Sequence, residues 1–254
     1  MRLPDFLIIG AAKCGTTTIQ KNINKHPDIF LPENEINFFS IKKNSDVEGY
    51  AGLFQNLSKT VGEKSITYIY YQDCHKIIKD LVPNVKMILI LRNPVERAYS
   101  NWNMRYNDKR IIKHGLMFNS NYNNVLKKLD FDYLADFYLC NSDNHQMIFQ
   151  KPLDIFHKSR YFEQVKSLMK YFEKEQLKII IYERMIKNLE NTIFEIFRFL
   201  NVDELQPSKI TPHNVAVYNN RINERTKSRL KEFFDEHNKK LFQLIGVDIP
   251  EWNN

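Results

Sequence analysis

Residues Asp5–Thr18 read DFLIIGAAKCGTTT. A continuous apolar run ends in Gly10, Gly15 opens a helix-compatible run, and the two glycines stand in G-x-x-x-x-G spacing. A strand that feeds straight into such a turn and then a helix aims backbone N–H groups, and the positive helix end, at a bound phosphate. The hydroxyls of Thr16, Thr17 and Thr18 stand at the helix start. The same letters also fit a tight βα turn in which threonine only caps the helix. A nucleotide triphosphatase loop has Lys directly after the second glycine, then a Ser or Thr that holds magnesium. Here Thr16 takes the lysine position and the lysine lies inside the loop at Lys13, where it would meet a ligand near its 5′-phosphate. No strand ending in a convincing magnesium-binding Asp follows, and both features argue against ATP or GTP hydrolysis.

A second segment, Lys86–Trp102 (KMILILRNPVERAYSNW), repeats the strand-to-helix pattern. Its apolar run ends at Arg92, Pro94 suits the first helical position, and Ser100 follows two turns in. An Arg leaving a strand and a Ser on the next helix can meet on one phosphate, the Arg by its bidentate fork. Without the first loop, Arg92 and Arg97 would read as surface ion-pair residues.

Working outward, short apolar runs at Phe6–Ile9, Thr60–Gly62, Met87–Leu91 and Lys178–Tyr182 read as strands. Most are Ile/Leu/Val-rich and do not alternate, as in a parallel sheet covered on both faces. Helical patterns lie at Thr16–Lys25, Asp73–Leu81, Val95–Tyr106, Asp132–Cys140, Tyr161–Phe172 and Met185–Leu200. A last amphipathic helix, Asn223–Ile245, carries Leu230, Phe233, Phe234, Leu241, Phe242 and Ile245 on one stripe, a core-packing pattern. The alternation predicts an α/β fold with a central parallel sheet flanked by helices. No repeat or Gly/Ser linker divides the sequence, so residues 1–254 read as a single domain.

The 254 residues include 37 Lys and Arg against 30 Asp and Glu, a net charge of +7, with 43% hydrophobic and 26% charged residues. That is globular composition, which excludes a disordered or fibrous chain. The excess of base fits an anionic ligand, but the cations are scattered, unlike the focused patch of a nucleic-acid binder. No apolar run approaches the ~20 residues of a membrane span, and the N-terminus lacks a signal-peptide pattern. Cys14, Cys74 and Cys140 make neither a disulfide framework nor a zinc-ligand set. The expectation is a soluble, cytoplasmic chain without a membrane span.

With both anion-binding segments present, the chain resembles the sulfotransferases that use 3′-phosphoadenosine 5′-phosphosulfate (PAPS). GAAKCGTTT is similar to their 5′-phosphosulfate loop and RNPVERAYS to their 3′-phosphate motif. LPENEINFF, GEKSITYIY and LKEFFDEHNKKLFQLIGVDIPEW resemble the acidic-aromatic, E-K-S/T-x-x-Y and closing segments of the heparan-sulfate-type, carbohydrate-directed branch. The resemblance covers most of the chain and suggests a microbial or viral member. It implies a P-loop-kinase-like sulfotransferase fold, and PAPS as donor with no metal required. It also implies transfer of a sulfuryl group to a hydroxyl or amine of a carbohydrate or other metabolite.

Carried over residue by residue, the resemblance puts Ala12, Lys13, Cys14, Gly15, Thr16, Thr17 and Thr18 at the 5′ end of the donor. Arg92 and Ser100 fall at its 3′-phosphate. Tyr182, which ends a strand near the nucleotide, reads as a contact or as structural. His213, Asn214, Tyr218 and Arg221, in ITPHNVAVYNNR, are candidates to close over the cofactor; the branch has a Lys/Gly/Arg-rich loop there, and this chain has none. Glu35 matches the general base, with Glu33 a rival. Asn34 stands where the family often has Lys. Lys13 would stabilise the leaving phosphate oxygen, and Lys64 would reach the sulfonate or acceptor or else pair with Glu63 or another local acid. Tyr68, Tyr70 and Tyr71 read as cleft or packing aromatics, and His26 as a cap or core residue. The Lys109–Asp130 and Phe156–Arg160 regions are expected to shape the acceptor site. The rival reading is a P-loop nucleotide or small-molecule kinase. The acceptor, the choice between O- and N-sulfation, and the oligomeric state are not written in the sequence.

Overall fold

The structure is a computed structural model that describes residues 1–40, 46–55, 59–107, 130–144, 153–205, 210–213 and 222–253. Its chain forms two compact units, Met1–Arg92 with Gln164–Val215, and Asn93–Glu163 with Ala216–Asn254. The first holds a five-stranded, all-parallel sheet of β1 (Phe6–Gly10), β2 (Ile29–Phe30), β3 (Thr60–Lys64), β4 (Lys86–Leu91) and β5 (Leu177–Ile181). The strand order is β2-β3-β1-β4-β5. β1 is therefore the strand at which the order reverses, with β3 on one side and β4 on the other, and ligands of such sheets bind at the carboxyl ends beside that point. All five residues of β1 are buried, with Phe6, Leu7 and Ile8 at 0% exposure. Covered on both faces, the strand shows the apolar run expected of it.

Strand C-termini give way to helices. α1 (Thr16–Ile23) follows β1, α2 (Val47–Gly52) precedes β3, and α3 (Asp73–Leu81) precedes β4 with the bounds that the sequence predicts. The expected Met185–Leu200 helix is two, Tyr182–Lys187 and Leu189–Leu200. Asn188 divides them: its backbone is non-helical, and its side chain accepts the Asn191 N–H as the cap of the second. Tyr182 thus opens a helix, where the sequence reading ends a strand on it. β2 is two residues long, too short for periodicity to reveal.

The second unit opens with α4 (Pro94–Trp102), whose Asn93 side chain accepts the Val95 and Glu96 N–H groups. α4 packs with the helices Phe131–Cys140, Asp154–His157 and Glu224–Ile245. The core between them is aromatic: Tyr99 stacks on Trp102 at 5.5 Å and Tyr138 on Phe156 at 5.0 Å, and Leu230 and Phe234 of the last helix are fully buried. That helix buries the stripe its periodicity predicts, with Leu241 at 0% and Ile245 at 5% exposure. Arg97 is a finding the sequence misses. It is fully buried and donates to the Ser159 Oγ at 2.7 Å and to the Ile155 carbonyl.

Candidate functional site

The glycine loop joins β1 to α1. Gly15, the α1 N-cap, sits at φ 84°, left-handed backbone that side chains resist. A Cβ there would stand 2.7 Å from Met185 Cε and 3.2 Å from the Tyr182 ring, so the loop rests on the first turn of the Tyr182–Lys187 helix. Gly15, as the N-cap residue, brings no side chain to cap α1. Its first N–H groups, at Thr16 and Thr17, therefore stand at the helix's positive end with no partner supplied by a cap. No acid lies between Gly10 and Thr18.

Arg92, just past β4, joins the same loop. Its Nη1 donates to the Lys13 carbonyl at 3.4 Å, and its guanidinium lies over the Tyr182 ring at 4.8 Å. The ring is thus shared between Gly15 and Arg92, a cation–π contact that fixes a planar donor beside the loop. Backbone donors and a lysine around one turn, with an oriented arginine beside them, form the donor set of a ligand that carries more than one anionic phosphate, and PAPS fits it. Thr18 is engaged differently: its hydroxyl donates to the His213 carbonyl and accepts the His213 N–H, both at 3.0 Å. Asn22 exchanges bonds with Thr211, donating to its carbonyl at 2.8 Å and accepting its N–H at 3.1 Å. Residues 211–213 are thereby stitched along α1. Ser100 is buried on α4 of the second unit. Asn214, Tyr218 and Arg221, and 109–129 of the expected acceptor loop, lie outside the described residues.

A second cluster forms where β3 ends. Lys64 pairs in register with Ile8 of β1, so its Cα stands two residues short of Gly10 along the neighbouring strand. Its Nζ lies 3.5 Å from Glu35 Oε1, and Lys64 is nearly buried while Glu35 stays partly open to solvent. The lysine that the sequence offers to Glu63 therefore meets Glu35, the predicted base. Glu33 is exposed and meets the rest of the unit through its carbonyl, which accepts from Gln20 at 3.1 Å. Glu63 itself is fully buried. Burial pushes its carboxyl up to about 7, against the hydrogen bond that Tyr68 donates.

The Glu35 segment is held by the chain that leaves β3. The Asn37 N–H donates to Ser65 Oγ at 2.8 Å, and Thr67 Oγ1 donates to Asn37 Oδ1 at 2.9 Å. Asn37 has φ 56°, a left-handed conformation that Asn tolerates better than most residues. The Phe39 N–H donates to Tyr68 Oη at 3.2 Å, and that hydroxyl donates to Glu63. Sequence reasoning did not single out Asn37 or Ser65, because their bonds join stretches 28 and 30 residues apart. Tyr68 is buried, whereas Tyr71 is exposed. His26 is a buried core residue that caps no described helix: it accepts the Asp28 N–H at Nδ1, and its Nε2 then donates to the Asp203 carbonyl at 2.9 Å. A cleft of about 550 Å³ opens at the other, amino-terminal edge of the sheet beside Arg2, Asp5, Lys59 and Lys86. Arg2 there pairs with Asp5 and Lys86 donates to the Phe199 carbonyl.

The sulfotransferase domain model matches residues 3–243 of the chain. The membrane-associated sulfotransferase kil1 of Dictyostelium discoideum is 25% identical over 99% of this chain and 67% of its own length. A bifunctional heparan sulfate N-deacetylase/N-sulfotransferase 1 of Caenorhabditis briggsae is 37% identical over 39% of this chain. The match spans only 12% of that longer protein. Among solved structures, a sulfotransferase from Alicyclobacillus acidocaldarius superposes with TM-score 0.75 at 24% identity, covering 100% of both chains.

Proposed function

The chain belongs to the sulfotransferase-domain family, and on that premise we propose that it is a PAPS-dependent enzyme sulfating a carbohydrate hydroxyl or amine. Residues 1–254 would act as one domain. The observation that carries the cofactor reading is Arg92, laid on Tyr182 and bonded to the Lys13 carbonyl, beside a phosphate loop without the kinase lysine. The carbohydrate acceptor is supported by heparan sulfate in the name of a relative that matches part of the chain. No described helix is long and apolar enough to cross a membrane; the cytoplasmic placement proposed rests on cysteine usage in the sequence.

In this reading Ala12 to Thr17 hold the 5′ end of the donor through backbone N–H groups, Lys13 and threonine hydroxyls, while Thr18 acts indirectly by fixing residues 211–213. Arg92 and Ser100 take the 3′-phosphate, and Tyr182 orients Arg92. When bound, PAPS supplies an activated sulfuryl group on a phosphate that is a good leaving group. Such transfer depends on in-line positioning and charge stabilisation more than on covalent help. Lys13 offsets charge growing on the bridging oxygen. Glu35 takes the proton that the acceptor loses as its oxygen or nitrogen bonds to sulfur. Lys64 holds Glu35 in place and offers its cation to the transferring group. His213, Asn214, Tyr218 and Arg221 are proposed to close over the nucleotide.

The test is calorimetric titration with 3′-phosphoadenosine 5′-phosphate (PAP), and with ATP, in EDTA. Micromolar binding of the 3′-phosphorylated nucleotide is expected, weakened at least about tenfold in Arg92→Ala through loss of a charge-assisted contact, with no ATP binding. ATP binding restored by magnesium would favour a kinase and refute the PAPS reading.

A further inference from the structure

Glu63 sits one residue before Lys64 on β3 with no solvent exposure. Around it lies a closed aromatic cluster: Phe39 meets Tyr68 edge-on at 5.4 Å, and Phe38 stacks on Tyr50 at 3.9 Å. The Phe39 N–H must donate to Tyr68 Oη, so the single Tyr68 hydroxyl proton goes to Glu63 Oε1. Among the described residues, neither the buried Glu63 Oε2 nor the Tyr50 hydroxyl meets a hydrogen-bond partner. An acid held in such a place at a cost in desolvation calls for an explanation beyond packing.

We infer that Glu63 is a positioning residue for sulfuryl transfer: through the Tyr68 hydroxyl it fixes the Phe38–Ser40 turn, and with it the approach of Glu35 to Lys64. The turn is then anchored twice. Asn37 is bound by Ser65 and Thr67 on one side, and Phe39 by the Tyr68–Glu63 chain on the other. Glu35, two residues before Asn37, inherits its direction from both anchors. Tyr68 without a buried acceptor would be free to turn its hydroxyl elsewhere; Glu63 keeps it on the Phe39 amide. This inference rests on the reading of Glu35 and Lys64 as the acceptor-side pair.

The experiment compares wild type with Glu63→Leu, Glu63→Gln, Tyr68→Phe and Glu35→Gln. Hydrogen exchange by mass spectrometry on peptides spanning Glu35–Ser40 needs no acceptor. It should quicken about tenfold in Glu63→Leu and Tyr68→Phe, the loss of roughly one hydrogen bond, and return toward wild type in Glu63→Gln, whose amide oxygen can still accept from Tyr68. Turnover is followed with PAPS and N-desulfated heparan sulfate. kcat should fall about tenfold in the same two variants with KM for PAPS unchanged, as expected when only the reactive geometry loosens. Calorimetry with PAP identifies folded protein, and Tyr68→Phe carries the test if Glu63→Leu does not fold. Unchanged exchange in the variants, or wild-type kcat in them while Glu35→Gln is inactive, overturns the inference. Wild-type turnover by Glu35→Gln would instead overturn the reading beneath it, and the exchange result would still decide whether Glu63 holds the turn.

Discussion

Replacing Glu63 by Gln changes the pH dependence of folding by an amount the structure sets. Burial raises this carboxyl from its ordinary 4.5 to about 7. Below pH 4.5 both the folded and unfolded chains carry the proton. Between 4.5 and 7 the unfolded chain has released it and the folded chain keeps it, so the native state binds more protons and stability falls as pH rises. The loss is complete once pH passes the folded value. A shift from 4.5 to about 7, at ~1.4 kcal/mol per unit, corresponds to about 3 kcal/mol. Gln cannot ionise, so Glu63→Gln lacks this slope. Urea unfolding followed by tryptophan fluorescence at pH 4.5, 6, 7 and 8 gives the difference in stability between wild type and variant. That difference should move in favour of the variant by about 3 kcal/mol across the range, with most of the change done by pH 7. Curves that run parallel from pH 4.5 to 8 would refute the reasoning and mean that the carboxyl ionises in the folded protein as readily as in water.

Gly15→Ala should lower PAP affinity at least about tenfold by calorimetry and cost ~1–2 kcal/mol of stability, because φ is 84° and the added methyl meets Met185 and the Tyr182 ring. Arg97→Ala should cost about 3 kcal/mol in chemical unfolding. It leaves the Ile155 carbonyl and Ser159 hydroxyl without their buried donor and opens a cavity beside them.

The parts of the fold legible in sequence were those specified locally. β1 and β4 read as buried strands because their apolar runs do not alternate, and α3 because its start, end and periodicity agree. The glycine spacing located the loop, and the basic residue leaving β4 located Arg92. What stayed hidden depends on contacts between distant stretches. The Thr18 hydroxyl is committed to a backbone 195 residues away, which no helix-start pattern discloses. Lys64 beside Glu63 invites a local ion pair, yet neighbours on a strand face opposite ways, and the lysine's partner is 29 residues upstream at Glu35. Arg97 resembles a solvated helix charge until the second unit's helices close round it.

That alternation on β3 bears on how this chain tolerates insertions and deletions. Leu7 opposes Glu63 and Ile8 opposes Lys64 across the β1–β3 ladder. A single residue removed between Thr60 and Gly62, with the ladder re-forming one step over, would carry the Lys64 amine into the aromatic cluster, move Glu63 to the place of Gly62, where a Cβ meets the Phe6 ring, and bring Ser65 to where the amine now meets Glu35. Glu35 would then face a hydroxyl in place of a cation, and a lysine would be sealed among Phe39, Tyr50 and Tyr68. Strand length is therefore as much a determinant of the Lys64–Glu35 pair as the side chains themselves. A two-residue change, which restores the faces, should be borne far better than a change of one.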